Sequence, residues 1–120
     1  MRFDPFTIKS QELIQTAQRL ASSHHNNQIE PEHLLAATLA DREGIVVSVL
    51  RKLGSSPGAA AQEAALAIDK LPKISQPQEA YISQRTQAVL DAAISEAAKM
   101  KDQYVSVEHI LLAITDEKGG

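Results

Sequence analysis

The sequence predicts an all-α fold built as a tandem pseudo-repeat of short helices, with the second repeat truncated. Three observations carry that expectation. Alanine supplies 18 of the 120 residues and aromatic side chains only 3%, a composition suited to close-packed helices and not to strands. Apolar residues recur at three- and four-residue spacing through most of the chain. The dipeptide Glu32-His33 returns as Glu108-His109, an offset of 76 residues.

Sliding the chain on itself by 76 aligns residues 7–44 with 83–120 without a gap. Eight of the 38 positions are identical (Gln11/Gln87, Ala17/Ala93, Ala21/Ala97, Glu32/Glu108, His33/His109, Leu35/Leu111, Ala37/Ala113 and Gly44/Gly120). Chance would give about two or three. Leu13/Val89, Ile14/Leu90, Ile29/Val105 and Leu34/Ile110 are conservative matches.

Each copy opens with a long amphipathic helix. Thr7 and Ser83 stand where an N-cap hydroxyl accepts from the first free amides. Ile8, Leu13, Ile14, Ala17, Leu20 and Ala21 then make one apolar face, as Val89, Leu90, Ala93, Ile94 and Ala97 do in the second copy. Polar residues 22–28 end the first helix and 100–103 its counterpart.

The next helix starts at Pro31, whose missing N–H costs nothing at the first helical position, with Ile29 stapled to Leu34. In copy two Ser106 is the N-cap, Glu108 lies in the first turn where the helix dipole favours an anion, and Val105 staples to Ile110. Gly44 is expected to end the second helix. A third runs from Ile45 to Leu53 and stops at Gly54, and a fourth starts at Ser56-Pro57 and runs to Leu71-Pro72. Repeat one thus spans residues 7–72, a surface connector 73–82, and a partial repeat two 83–120, all in one domain. By symmetry about 28 further residues should follow, so the chain is expected to be a fragment.

Several function classes are excluded by composition. There are 12 basic and 15 acidic residues and no concentrated positive face, so nucleic acid is not an expected partner. The longest apolar runs are five residues, far below the roughly 20 that span a bilayer. No membrane partner and no secretory signal is expected, and a cytoplasmic location fits. Cysteine is absent, which removes disulfides, thiol nucleophiles and thiolate metal sites.

Chemistry-bearing groups are few. The five glycines lie at 44, 54, 58, 119 and 120, with no phosphate-cradling spacing, so this segment is not expected to be an enzyme or to hold a cofactor. Histidines at 24, 25, 33 and 109 lack metal-ligand spacing and read as exposed or capping residues. Asp102 and Glu108 are candidates for a convergent carboxylate pair, but no nucleophile accompanies them. A solvated loop aspartate and a first-turn glutamate is the simpler reading.

The segments Ile29-Glu30-Pro31-Glu32-His33-Leu34-Leu35 and Tyr104-Val105-Ser106-Val107-Glu108-His109-Ile110-Leu111, together with the Leu50-Arg51-Lys52-Leu53-Gly54 stop, resemble the Clp amino-terminal repeat domain. The resemblance covers the whole chain. Pro31 and the Leu71-Pro72 exit are similar to the version at the front of the ClpB disaggregases. It implies a mobile helical module tethered to AAA+ ATPase domains beyond residue 120, with ATP and magnesium in the full-length protein. It further implies a homohexamer that works with the DnaK chaperone system and captures unfolded or aggregated polypeptide. Positions matching Thr7, Asp102 and Glu108 are implicated there in substrate handling.

A shallow apolar groove suits recognition of many sequences. Thr7, Asp102, Tyr104 and Glu108 are expected as its polar rim, with Leu13, Val89 and Ile110 as its apolar floor; equally, these aliphatics are simply core. An adaptor-docking domain of the ClpA or ClpC type is the alternative function, and a stand-alone Clp-like domain a third. Uncovered faces of the fifth and sixth helices give the fragment a route to dimerise.

Overall fold

A computed structural model describes residues 5–41, 43–75 and 79–116. Six helices follow one another: α1 (Ile8–Ser23), α2 (Pro31–Ala40), α3 (Ile45–Lys52), α4 (Pro57–Asp69), α5 (Gln84–Lys99) and α6 (Val107–Thr115). Two strands of two residues each, β1 (Gln28–Ile29) and β2 (Tyr81–Ile82), pair in parallel with Ile29 opposite Ile82.

Helix starts follow their capping chemistry. Thr7 Oγ1 accepts from Ser10 N at 3.1 Å, Ser83 Oγ from Thr86 N at 3.1 Å, and Ser56 Oγ from Ala59 N at 3.1 Å. Each satisfies one amide that the first turn leaves without an intrahelical partner. Gly54 takes φ +79 after α3, so Ser55 N reaches Leu50 O at 2.9 Å and the last carbonyls are closed off. The same device ends α1 and α5, where His25 (φ 59) and Lys101 (φ 58) occupy the left-handed position without being glycine.

α1 packs on α2, α5 on α6, and α4 covers the outer side of α2. The main core contains seven pairs related by the 76-residue offset: Leu13/Val89, Ile14/Leu90, Ala17/Ala93, Ala21/Ala97, Ile29/Val105, Leu34/Ile110 and Ala37/Ala113. The alanines let the helices approach closely where larger side chains would hold them apart. The two copies also clasp each other. Phe6 bridges Val105 in parallel as Ile82 bridges Ile29, and 82 − 6 and 105 − 29 are both 76. Val105 O accepts from Thr7 N at 3.0 Å and Ser10 Oγ at 2.9 Å, while Ile29 O accepts from Ser83 N at 3.3 Å and Thr86 Oγ1 at 2.7 Å.

Three expectations change. Gly44 does not end α2: Asp41 does, and Gly44 is the N-cap of α3, with φ −73. A Cβ at Gly44 would meet the Asp41 carbonyl oxygen at 3.1 Å, so the close approach itself calls for glycine. α4 stops at Asp69, two residues before Leu71. The connector is not wholly superficial, because Ala80 is buried, Tyr81 and Ile82 form β2, and Ile74 N donates to His25 O at 2.7 Å.

Candidate functional site

The turn that closes α5 sets the geometry of the expected rim. Lys101 in the left-handed conformation reverses the chain, so Asp102 N reaches Ala97 O at 2.9 Å and the Asp102 carboxylate swings toward the start of α6. There His109 Nε2 lies 2.8 Å from Asp102 Oδ2. Ser106 N donates to His109 Nδ1 at 2.8 Å, so Nδ1 carries a lone pair and the ring hydrogen sits on Nε2, pointing at the carboxylate. Asp102 is half-exposed.

Ser106, His109 and Asp102 line up as nucleophile, base and acid do in hydrolases, with Ser106 Oγ 3.0 Å from Nδ1. The first copy shows that this is a capping arrangement. Glu30 N donates to His33 Nδ1 at 2.8 Å and His33 Nε2 donates to Asn26 Oδ1 at 2.9 Å. Glu30 has no hydroxyl for such a base to deprotonate, yet the geometry is the same. The Nδ1 lone pair, moreover, is already taken by the Ser106 amide. The recurring Glu-His pair is thus a helix-start device: the imidazole closes the capping box and the glutamate sits on the helix dipole. Among the described residues no cluster of three or more His, Asp or Glu side chains is placed to hold a metal ion.

The other expected rim residues gather around this turn. Thr7 N is hydrogen-bonded to Val105 O, one residue from Tyr104 and from Ser106. Its hydroxyl accepts from Ser10 N and donates its hydrogen to Ser10 Oγ at 2.9 Å, so it has only acceptor capacity left. Tyr104 is 51% exposed. Glu108 is exposed in the first turn of α6, with no cation in ion-pair range among the described residues, whereas its repeat mate Glu32 pairs with Arg85 at 3.5 Å.

The three aliphatics divide. Val89 and Ile110 lie wholly inside the core, 2% and 0% exposed, because the faces of α5 and α6 that carry them pack on other helices. Both pack inside the core and offer almost no surface to a ligand. Leu13 lines a cavity of about 300 Å³ between α1, α2 and α3, beside Lys9, Thr16 and Val107. Val107 and Ile8, the latter 75% exposed and next to Thr7, are apolar surface near the rim that sequence reasoning missed. Val107 stands where Pro31 does in copy one, and only that mismatch in the repeat marks it.

Among the described residues His33 is the one group whose titration is clearly displaced: burial, with smaller contributions from the positive charges of His24 and Lys73, lowers its pKa to about 4.

The Clp repeat N-terminal domain family matches residues 5–120. The chain is 43% identical to the chaperone protein ClpB of Porphyromonas gingivalis over 114 residues, which is 95% of this chain and 13% of that one. Among solved structures it is similar to the Hsp104 N-terminal domain from Candida albicans, with TM-score 0.88, 26% identity and coverage of 97% of this chain and 77% of that one. It is also similar to the N-terminal domain of the caseinolytic protease associated chaperone ClpD from Arabidopsis thaliana, with TM-score 0.72, 26% identity and coverage of 99% and 81%. The chain therefore spans a small part of the curated chaperone it matches, and most of the solved N-terminal domains.

Proposed function

The chain belongs to the Clp repeat N-terminal domain family, and from that premise we propose that it is the substrate-binding module of a ClpB-type ATP-dependent disaggregase. It captures unfolded or aggregated polypeptide and hands it to a motor for threading. The observation that carries this reading is 43% identity to a ClpB chaperone across 95% of the chain. The rim around Tyr104, Asp102 and Glu108 supports it, because it offers an exposed aromatic ring and two carboxylates in the turn between α5 and α6 and the first turn of α6.

ATP and magnesium act elsewhere in such a protein, since the residues here do not fit them: the glycines at 44, 54 and 58 stand in no phosphate-cradling spacing. In a homohexamer working with the DnaK system, several tethered copies raise the effective concentration of substrate sites. An affinity of about tens of micromolar per copy then recruits an aggregate. No described helix is long and apolar enough to cross a membrane, and a cytoplasmic setting is part of the proposal.

Chemical-shift mapping with a permanently unfolded protein tests the reading. Perturbations at Tyr104, Asp102 and Glu108 are the expected result. A second reading, docking of a folded adaptor as in a protease-coupled unfoldase, draws on the likeness to ClpD. Stoichiometric binding of one folded protein, with indifference to unfolded chains, would replace the first reading by the second.

A further inference from the structure

A groove larger than the one beside Leu13 runs along α1, and its walls differ in kind. A concavity of about 620 Å³ runs between α1 and the segment 79–82, within the roughly 300–1,000 Å³ typical of ligand sites. Its apolar wall is Ile14, Ile29 and Ile82, of which Ile82 keeps the most exposed surface, and glutamines of α1 and α5 line it, Gln15 and Gln87 among them. Glu79 is the one charged residue of its lining.

The register of the two strands decides what β2 offers there. Tyr81 N donates to Asn27 O at 3.1 Å and Ser83 N to Ile29 O at 3.3 Å, so the backbone groups of Tyr81 and Ser83 face β1. Alternation turns the N–H and C=O of Ile82 the other way. In copy one the equivalent carbonyl, Phe6 O, is capped by Gln11 Nε2 at 3.0 Å. The repeat mate of Gln11 is Gln87, and it turns away, donating to Asp91 Oδ1 at 3.0 Å. No described group takes its place on Ile82. The symmetry of the repeat is thus broken at one hydrogen bond, and the break opens a strand edge onto the groove.

We propose that this groove takes an extended polypeptide segment that is apolar on one face and basic on the other, added as a third strand on the Ile82 edge. The Ile82 amide and carbonyl then hydrogen-bond the incoming backbone, which makes recognition largely independent of sequence. The side chains that alternate along such a strand meet the isoleucine wall on one face. On the other they meet Glu79 and, just outside the groove, Asp91, with no lysine or arginine in the lining to repel a cation. The inference rests on the reading that the domain captures extended chains, and it assigns a second place where capture happens.

The probe is an acetylated and amidated octapeptide of alternating valine and lysine, titrated into the 120-residue chain and followed by amide shifts and hydrogen exchange. Saturation is expected to slow exchange of the Ile82 amide at least tenfold. Two N-methylated isomers, one methylated at every valine and the other at every lysine, separate the edges of the peptide. One isomer should bind at least tenfold more weakly and the other as the parent does. Glu79→Lys, an exposed substitution, should weaken the parent peptide about tenfold at low salt. Equal binding of both isomers, or shifts confined to Tyr104 and Glu108, would overturn the second site and leave capture at the rim intact. Failure of a permanently unfolded protein to bind anywhere on the domain would remove both.

Discussion

His109 donates to Asp102 at 2.8 Å across seven residues of chain, as His33 donates to Asn26 at 2.9 Å across the same interval. One copy places a carboxylate at this position and the other an amide, so acceptor geometry is kept while charge is not. Asp102→Asn should therefore preserve the fold to within about 0.5 kcal/mol, with the amide oxygen turned to the ring. Asp102→Ala removes the acceptor and should cost about 1 kcal/mol, water replacing it in part because the site is half-exposed. His109 is 4% exposed, and His109→Ala should cost about 2–3 kcal/mol through lost packing and an opened capping box. Urea unfolding monitored by circular dichroism measures all three.

The buried imidazole of the first copy makes stability depend on pH. His33 takes a proton near 6.5 when unfolded but only near pH 4 when folded, chiefly because burial disfavours the cation. Between those values the unfolded chain binds more protons, so stability falls as pH drops from about 6.5 to about 4. At about 1.4 kcal/mol per pH unit over about 2.5 units the loss from this group reaches about 3.5 kcal/mol, complete below pH 4 and absent above 6.5. His33→Gln should flatten the slope over that window. A slope unchanged by the substitution would assign the acid lability to other groups.

Backbone conformation gives a pair of opposite predictions. Gly54 at φ +79 has open space where a Cβ would sit, so Gly54→Ala meets no neighbour and bears only the strain of a side chain in the left-handed region. It should cost about 1 kcal/mol. Lys101 already bears that cost at φ 58, and Lys101→Gly should stabilise by about 0.5 kcal/mol after allowance for the looser unfolded chain. Thermal melts of the two variants should shift in opposite directions.

What sequence made legible was local. The caps at Thr7, Ser83 and Ser106, proline at the start of α2 and Gly54 after α3 act within one turn, so their residue types announce them. The pairing of β1 with β2 joins residues 53 apart through two-residue strands, too short for any alternating pattern to register. Gly44 misled because glycine serves both N-caps and helix ends, and only the distance to Asp41 separates the two roles here. For the candidate site, residue type marked Tyr104 and Glu108 as exposed polar positions. The same helical period that marks a groove floor marks a core, which is why Val89 and Ile110 proved to be buried beneath the surface.

The two hydroxyls that clasp the repeats should matter equally. Ser10 Oγ donates to Val105 O and Thr86 Oγ1 to Ile29 O, and both side chains are fully buried. Each carbonyl keeps one backbone donor, Thr7 N or Ser83 N, so neither is orphaned when the hydroxyl goes. Ser10→Ala and Thr86→Val should each cost about 1 kcal/mol, and the double variant their sum, because the sites share no partner. A coupling above about 0.5 kcal/mol would mean that the two clasps close as one unit.

Binding at the rim should separate from stability. Tyr104 is half-exposed and Glu108 has no ion-pair partner among the described residues, so Tyr104→Ala and Glu108→Gln remove little that holds the fold. Both should change urea midpoints by less than about 0.5 kcal/mol equivalent. If the rim captures polypeptide, each should weaken binding of a permanently unfolded protein about threefold to tenfold, the aromatic ring by lost apolar contact and the carboxylate by lost charge. Raising the salt concentration then separates the two contributions: the deficit of Glu108→Gln should shrink with screening and that of Tyr104→Ala persist. Identical salt responses would mean that Glu108 acts by shaping the first turn of α6 and not by its charge.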